Sequence, residues 1–293
     1  MKKIGMIGSQ LIHTYGYGMH FNKPDIEFAA KAKTIPQWQL KLMLENPDVE
    51  PLKAAKLTHV WGGLEGVPED MAGTFNLTVT KSLDEVFEAC DLIMVMDERI
   101  DSRSELIEKS INAGKNVFAD KVLSDKLAIT EKLVSMAEEK NLIICAWSQQ
   151  GFCPEYDLIK AMPPGGIAYA SMAMSMDILK KYGIHIICTV QAAFPGKITK
   201  CVLLKNKSKS KIILLEHDTG TTIIMSCGPD FPGGCSRIDY SVNGKSATIE
   251  TKDRIGAFRR ASENMIAAFD GKKTVFSKEK LLEASRLLDI ICK

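Results

Sequence analysis

GKNVFADK, residues Gly114–Lys121, places a glycine, a short apolar run and an acid–base pair in immediate succession. Ahead of it, Ser102-x-x-Glu105 reads as a capping box that opens a helix over 102–113, with Gly114 as its C′ residue. After the glycine the chain turns into a strand, Asn116–Ala119, which ends on Asp120 and Lys121. Working back, DLIMVM (Asp91–Met96) is a continuous apolar run of strand length, and Ser82-x-x-Glu85 caps a helix over 83–89. Working forward, Ser124 caps a helix over 126–140, and LIICA (Leu142–Ala146) is a further buried strand. Strands and helices that alternate in this way predict a doubly wound parallel sheet with right-handed crossovers.

At the N-terminus, Lys2–Ile7 reads as a first strand that ends in Gly8-Ser9. A dinucleotide fingerprint continues G-x-G-x-x-G, its glycines letting the backbone approach a pyrophosphate at a helix N-terminus. Here Gln10 and His13 occupy the second and third glycine positions. Gly16 and Gly18 come late, either as the turn itself or as part of a loop. The segment from Phe21 to Leu57 departs from a compact βαβ unit, and a helix over 37–45 reads as an insertion covering one sheet edge. A second strand over 56–61 leads into Gly62-Gly63, and no acid able to bind the adenosine ribose appears until Glu65.

Beyond Gln150 the pattern changes. A helix is expected over 152–162, then strands over 167–175, 202–206, 211–217, 221–227, 237–242 and 247–251. Short turns join them, with Asn243-Gly244 the strongest hairpin signal. Strands without intervening helices predict a largely antiparallel sheet, and helices over 256–269 and 278–292 close the chain. The expected domains are 1–148, a doubly wound α/β unit, and 149–293, an α/β unit built on that second sheet.

The chain of 293 residues is 45% hydrophobic and 25% charged, with a formal net charge of +2. Charge so nearly balanced gives no electrostatic case for nucleic acid or membrane partners. No apolar run approaches the roughly 18–20 residues that span a bilayer, and MKKIGMIGS has too short an apolar core for a signal peptide. The eight cysteines, scattered and without C-x-x-C, fit reduced thiols in a cytosol. Cys227 and Cys235 are the one pair that suggests a bridge or a metal, and no histidine lies near them, so no metal is expected. Lys205–Lys211 (KNKSKSK) reads as a phosphate patch or as a solvated hairpin turn whose lysines guard an edge.

Two residues stand out as chemical candidates. Ligands of open α/β sheets collect beyond the carboxyl ends of the strands, so Lys121 is a candidate to hold substrate or move a proton; the alternative is a solvated lysine. His185, in KKYGIHIICTV (Lys180–Val190), is a candidate base or a satisfied core histidine.

Taken together these features resemble the glucose-fructose oxidoreductase/inositol dehydrogenase/MocA (Gfo/Idh/MocA) family. AGKNVFADK is similar to that family's A-G-K-x-V-x-x-E-K-P: Lys121 falls on the motif lysine, Asp120 replaces the glutamate and Val122 the proline. KYGIH is similar to D-x-G-x-H, with Gly183 and His185 on the glycine and histidine, Lys181 in the aspartate position and Cys188 where an acid often follows. Gln149, Gln150 and Phe152 fall where the family has polar and aromatic residues entering its second domain.

The resemblance implies a Rossmann domain that binds NAD or NADP, with Gly8, Ser9 and Gln10 on the pyrophosphate and the nicotinamide near Met96, Asp97 and Asp120. It implies Lys121 and His185 as catalytic residues, and Tyr182 and Gln149 as substrate contacts. The reaction implied takes a hydride from a hydroxyl carbon of a sugar, polyol or related small polar molecule, in a cytoplasmic homo-oligomer joined through the C-terminal sheet. The altered glycines, the missing ribose acid and the lysine at 181 suggest an alternative: a non-catalytic or regulatory relative. A structural protein that uses the second sheet as a dimer face is a third expectation.

Overall fold

A computed structural model describes residues 1–9, 13–204, 206–231 and 236–292. Gln10, Lys205 and Cys235, named above, lie outside the described residues. The chain divides into two compact units, the first made of 1–124, 128–146 and 262–274, the second of 125–127, 147–261 and 275–293.

Unit 1 runs β1 (Lys2–Ser9), α1 (Thr14–Phe21), α2 (Ile26–Ala29), α3 (Gln37–Glu45), β2 (Ala55–Gly63), α4 (Val67–Phe75), β3 (Thr78–Val79), α5 (Leu83–Ala89), β4 (Leu92–Val95), α6 (Ile100–Asn112), β5 (Asn116–Asp120), α7 (Leu127–Glu139) and β6 (Ile144–Trp147). Its sheet has the order β3-β2-β1-β4-β5-β6, with parallel pairing of β1 to β2 and β4 and of β4 to β5. The expected doubly wound sheet is therefore present. Ile4, Met6, Ile93, Met94, Val117 and Phe118 are fully buried, as strands covered on both faces must be.

Several local expectations are corrected. Ser102 does not cap α6: the helix starts at Ile100 behind Arg99, and the Ser102 hydroxyl donates to the Asp97 carboxylate at 2.5 Å. The Ser82 cap does form, accepting from Glu85 N. Gly16 and Gly18 are neither turn nor loop but lie inside α1, where a Cβ on Gly18 would lie 2.4 Å from the Phe75 ring of α4. The inserted helix α3 packs mainly on α1 and α2 rather than on a sheet edge. Asn22 ties the end of α1 to β2, exchanging two bonds with the Leu57 backbone.

Unit 2 holds a 3₁₀ turn (Gln149–Phe152), α8 (Tyr156–Lys160), β7 (Ile167–Ala173), α9 (Leu179–Ala193), β8 (Ile198–Leu204), β9 (Lys211–His217), β10 (Thr222–Gly228), β11 (Ser236–Val242), β12 (Lys245–Glu250), α10 (Arg254–Phe269, passing into unit 1 after Ala261) and α11 (Lys278–Ile291). Its sheet has the order β12-β11-β7-β10-β9-β8. All described pairings are antiparallel except β7 with β10, which is parallel. The helix expected over 152–162 is instead the 3₁₀ turn followed by the shorter α8. The Asn243-Gly244 hairpin forms as expected, with φ of 50° and 73° at its two central residues, the backbone of a type I′ turn.

Candidate active site

In a sheet of this order the chain winds one way from β1 to β2 and the other way from β1 to β4. The crevice beyond those two strand ends is the topological switch point where ligands of such sheets bind. Gly8 lies there with φ of 64°, and a Cβ on it would lie 2.9 Å from Asp97 Cβ. Only glycine allows that approach without strain. Met96 is buried, and its N–H extends the β4–β1 pairing to Ile7 O at 2.9 Å.

Asp97 is buried too, and its carboxylate accepts from Arg99 N, Arg99 Nε and Nη2, and the Ser102 hydroxyl. Burial works to raise its pKa, but the Arg99 and Ser102 bonds outweigh this and hold it below the usual carboxylate value. Asp97 is thus the anchor of the first turn of α6. Arg99 remains largely exposed, a cation beside Asp97 at the start of α6.

The ends of β1 and β2 are stitched together. Ser9 is fully buried and its hydroxyl donates to Gly62 O at 2.7 Å. Gly63, φ 112°, comes so close that a Cβ would lie 1.9 Å from Ser9 O. Glycines at both strand ends leave room there for a ligand to come close to the backbone. The positive-φ glycines of the two strand ends and the exposed Arg99 cation beside Asp97 fit a diphosphate-bearing dinucleotide.

The end of β5 gathers several charged groups. Both Asp120 oxygens lie within reach of His13 Nδ1, at 3.0 and 2.8 Å, so the residue in the third-glycine position is tied to the acid of the lysine motif. Burial would raise the Asp120 pKa; His13, then Lys121 and Arg103, overcome it and hold the carboxyl below its usual value. Lys121 is 1% exposed, with Nζ 3.2 Å from Glu98 and 4.0 Å from Asp120. It is therefore no solvated lysine. Its φ of 78° is costly for a long side chain, of order 1–3 kcal/mol, and such outliers cluster at functional sites. The loop beyond is braced by α6: Arg103 donates to Val122 O at 3.0 Å and Ser104 to Leu123 O at 2.8 Å. His13, Glu98 and Arg103 were not recognised as site residues from sequence, because the contacts that recruit them join distant segments.

In unit 2, His185 lies in the middle of α9, buried at 3% exposure. Its Nδ1 meets the Ser148 hydroxyl at 2.5 Å, and the Tyr182 ring stands edge-on with centroids 5.2 Å apart. Lys181, four residues earlier, is partly exposed. Gln149, in the 3₁₀ turn, is buried and accepts from the Ser148 hydroxyl at 3.3 Å. Gly183 serves packing, since a Cβ there would lie 3.0 Å from Leu288 and 3.1 Å from Ile291 of α11. Phe152 joins an aromatic cluster with Trp147 and Phe276. The structure thus brings Ser148, Gln149, Tyr182 and His185 together in unit 2, and Gly8, Asp97, Asp120 and Lys121 to the strand ends of unit 1.

Residues 32–147 match the family described as "Oxidoreductase family, NAD-binding Rossmann fold" (GFO_IDH_MocA). The nicotinamide cofactor that the family resemblance implies agrees with that description. No curated protein matches the chain. Among solved structures, the chain is similar to a dehydrogenase (MviM) from Clostridium difficile, at 17% identity and a TM-score of 0.71 over 99% of this chain and 98% of that one. It is also similar to GenD2 from gentamicin A biosynthesis, solved in complex with NAD, at 12% identity and a TM-score of 0.71 over 98% and 92%. A third is UDP-N-acetylglucosamine 3-dehydrogenase GnnA from Acidithiobacillus ferrooxidans, at 10% identity and a TM-score of 0.72 over 99% and 96%. At these identities the likeness is one of fold. The chain resembles the Gfo/Idh/MocA oxidoreductases, as its two motifs indicated, and it has a Rossmann sheet followed by a mainly antiparallel one. No helix among the described residues is long and apolar enough to cross a membrane.

Proposed function

We propose that this protein is an NAD(P)-dependent oxidoreductase that takes a hydride from a hydroxyl-bearing carbon of a sugar, polyol or related small polar molecule. The observation that carries the reading is Lys121: a fully buried ammonium in a strained backbone position, held by two carboxylates at the end of a central parallel strand. Residues 1–148 would bind the dinucleotide, with Gly8 and the start of α1 at the pyrophosphate and Asp97 and Asp120 flanking the ring. Residues 149–293 would bind substrate, with Tyr182 and Gln149 as contacts.

Bound NAD(P)+ would supply a ring carbon, C4, able to accept the hydride. Lys121 donates hydrogen bonds to the reacting hydroxyl or to the nicotinamide ribose and orients it. His185 takes the hydroxyl proton as the carbon–hydrogen bond breaks, a task that suits an imidazole. Ser9, whose proton is spent on Gly62 O, offers a phosphate its backbone rather than its hydroxyl.

Homo-oligomerisation through the second sheet, and a cytosolic location, belong to the same proposal. Val202, Leu214, Ile224 and Tyr169 stand in cross-strand register and all are partly exposed, a row of apolar side chains suited to a partner surface. A second reading, a non-catalytic relative that keeps the fold, is favoured by the close Ser9–Gly63 junction and by Lys181 where an acid would support the histidine. The test is turnover of polyols and sugars with NAD+ and NADP+, followed at the nicotinamide absorbance band. Lys121→Ala and His185→Ala are each expected to lower turnover by about 10²–10⁴-fold. Unaltered turnover in the double variant would remove both residues from the mechanism.

A further inference from the structure

Position 181, one helical turn before His185, carries a lysine, and an ammonium has no acceptor for an imidazole N–H. What meets Nδ1 is Ser148 Oγ, at 2.5 Å. We propose that Ser148 is the positioning residue of His185: its hydroxyl oxygen accepts from Nδ1–H, fixing the tautomer whose lone pair is on Nε2.

A count of hydrogens carries the inference. A serine oxygen has one proton and two acceptor sites. The Gln150 N–H uses one site at 3.1 Å. The hydroxyl proton goes to Gln149 Oε1 at 3.3 Å, an atom that can only accept. The site that remains can only receive a hydrogen, and Nδ1 supplies it. The tautomer of a histidine is set by the bond its other nitrogen makes, so the proton-accepting nitrogen becomes Nε2.

Both partners are rigidly placed. Ser148 is fully buried and opens the 3₁₀ turn, with its carbonyl accepting from Gly151 N at 3.0 Å. Gly151 then packs against Phe276 and α9, where a Cβ would lie 2.5 Å from the Phe276 ring and 3.1 Å from Cys188 Cβ, three residues beyond the histidine. A side chain there would strike the Phe276 ring, and glycine lets the turn sit close to α9 with the Ser148 hydroxyl within hydrogen-bond reach of Nδ1. The neutral hydroxyl thereby orients the ring as a carboxylate would, without placing an anion against the imidazole.

The functional meaning rests on the reading of His185 as a proton acceptor, but the tautomer is measurable on the protein alone. The experiment is long-range ¹H–¹⁵N correlation of the imidazoles in the uniformly labelled full chain, above the pH at which His185 titrates. The chain has only five histidines, and His185→Gln assigns the signal. The expected result is a protonated, pyrrole-type Nδ1 and a pyridine-type Nε2. Ser148→Ala should shift the ring toward the opposite tautomer, and Ser148→Thr, which keeps the hydroxyl, should restore the original pattern.

A pyridine-type Nδ1 in the unmodified protein overturns the proposal, as does an unchanged pattern in folded Ser148→Ala. If that variant does not fold, the spectrum of the unmodified protein decides alone. An Nδ1–H tautomer without hydride transfer to NAD+ or NADP+ upholds the positioning role and removes the oxidoreductase reading. Turnover together with an Nε2–H tautomer does the reverse.

Discussion

Around Lys121 the protein buries charge, with Asp120, Glu98 and His13 at the end of β5 and Arg103 bracing the loop from below. Around His185 it gathers neutral groups, the buried Ser148 hydroxyl and Gln149 amide and the partly exposed Tyr182 ring. The charged cluster holds its lysine by mutual attraction, and each member is costly to bury without the others. The neutral cluster has no Coulombic stake of that size; what it fixes is the direction of one proton. The first cluster is thus expected to govern stability and cofactor-side geometry, and the second to govern a tautomer.

Substitutions can break that contrast. The largest effect should come at the chemistry, where Lys121→Ala or His185→Ala removes about 10²–10⁴ of turnover. Next, Asp120→Ala leaves His13 and Lys121 buried without their shared carboxylate and should cost about 3–5 kcal/mol in urea unfolding. Ser148→Ala, which removes a hydroxyl among neutral partners, should cost only about 1–3 kcal/mol. Equal losses from these two variants would erase the distinction between the clusters.

Acid sharpens the same contrast. Asp120 and Asp97 both have native pKa values below their ordinary ones, so the unfolded chain takes up protons first as pH falls. Their stabilising contribution is complete above the ordinary carboxylate value, about 4, and drains away below it toward the native values. The unfolding midpoint of the intact protein should therefore drop steeply below about pH 4, and less steeply in Asp120→Ala. The smallest effect belongs to the exposed surface: Lys132→Ala, which breaks the 2.8 Å pair with Glu108, should change stability by less than about 1 kcal/mol.

The sheet of unit 1 is legible in the sequence because buried parallel strands leave continuous apolar runs such as DLIMVM, and capping residues such as Ser82 mark where helices begin. Gly114 acts as the C′ residue it was read to be, with φ of 74° and its N–H on Ile111 O. Lys121 and His185 stand out through short motifs. What surrounds them does not, because His13 and Asp120 lie 107 positions apart and no local pattern announces such a pair. The Ser102 box misleads because an acid just upstream, Asp97, competes for the serine hydroxyl. The parallel β7–β10 pairing is hidden for a similar reason: strand order is a tertiary choice, and turn residues report only hairpins between neighbours in sequence.

The central claim is that the strand ends of unit 1, with Gln10 and His13 in place of two fingerprint glycines, bind a nicotinamide dinucleotide. Calorimetric titration of the full-length protein with NADH and NADPH tests it most directly. The account predicts saturable binding of at least one of them, accompanied by a rise in melting temperature that grows with ligand concentration. Absence of binding and of any thermal shift with either dinucleotide at millimolar concentration would contradict it and leave a Rossmann sheet that has given up its cofactor.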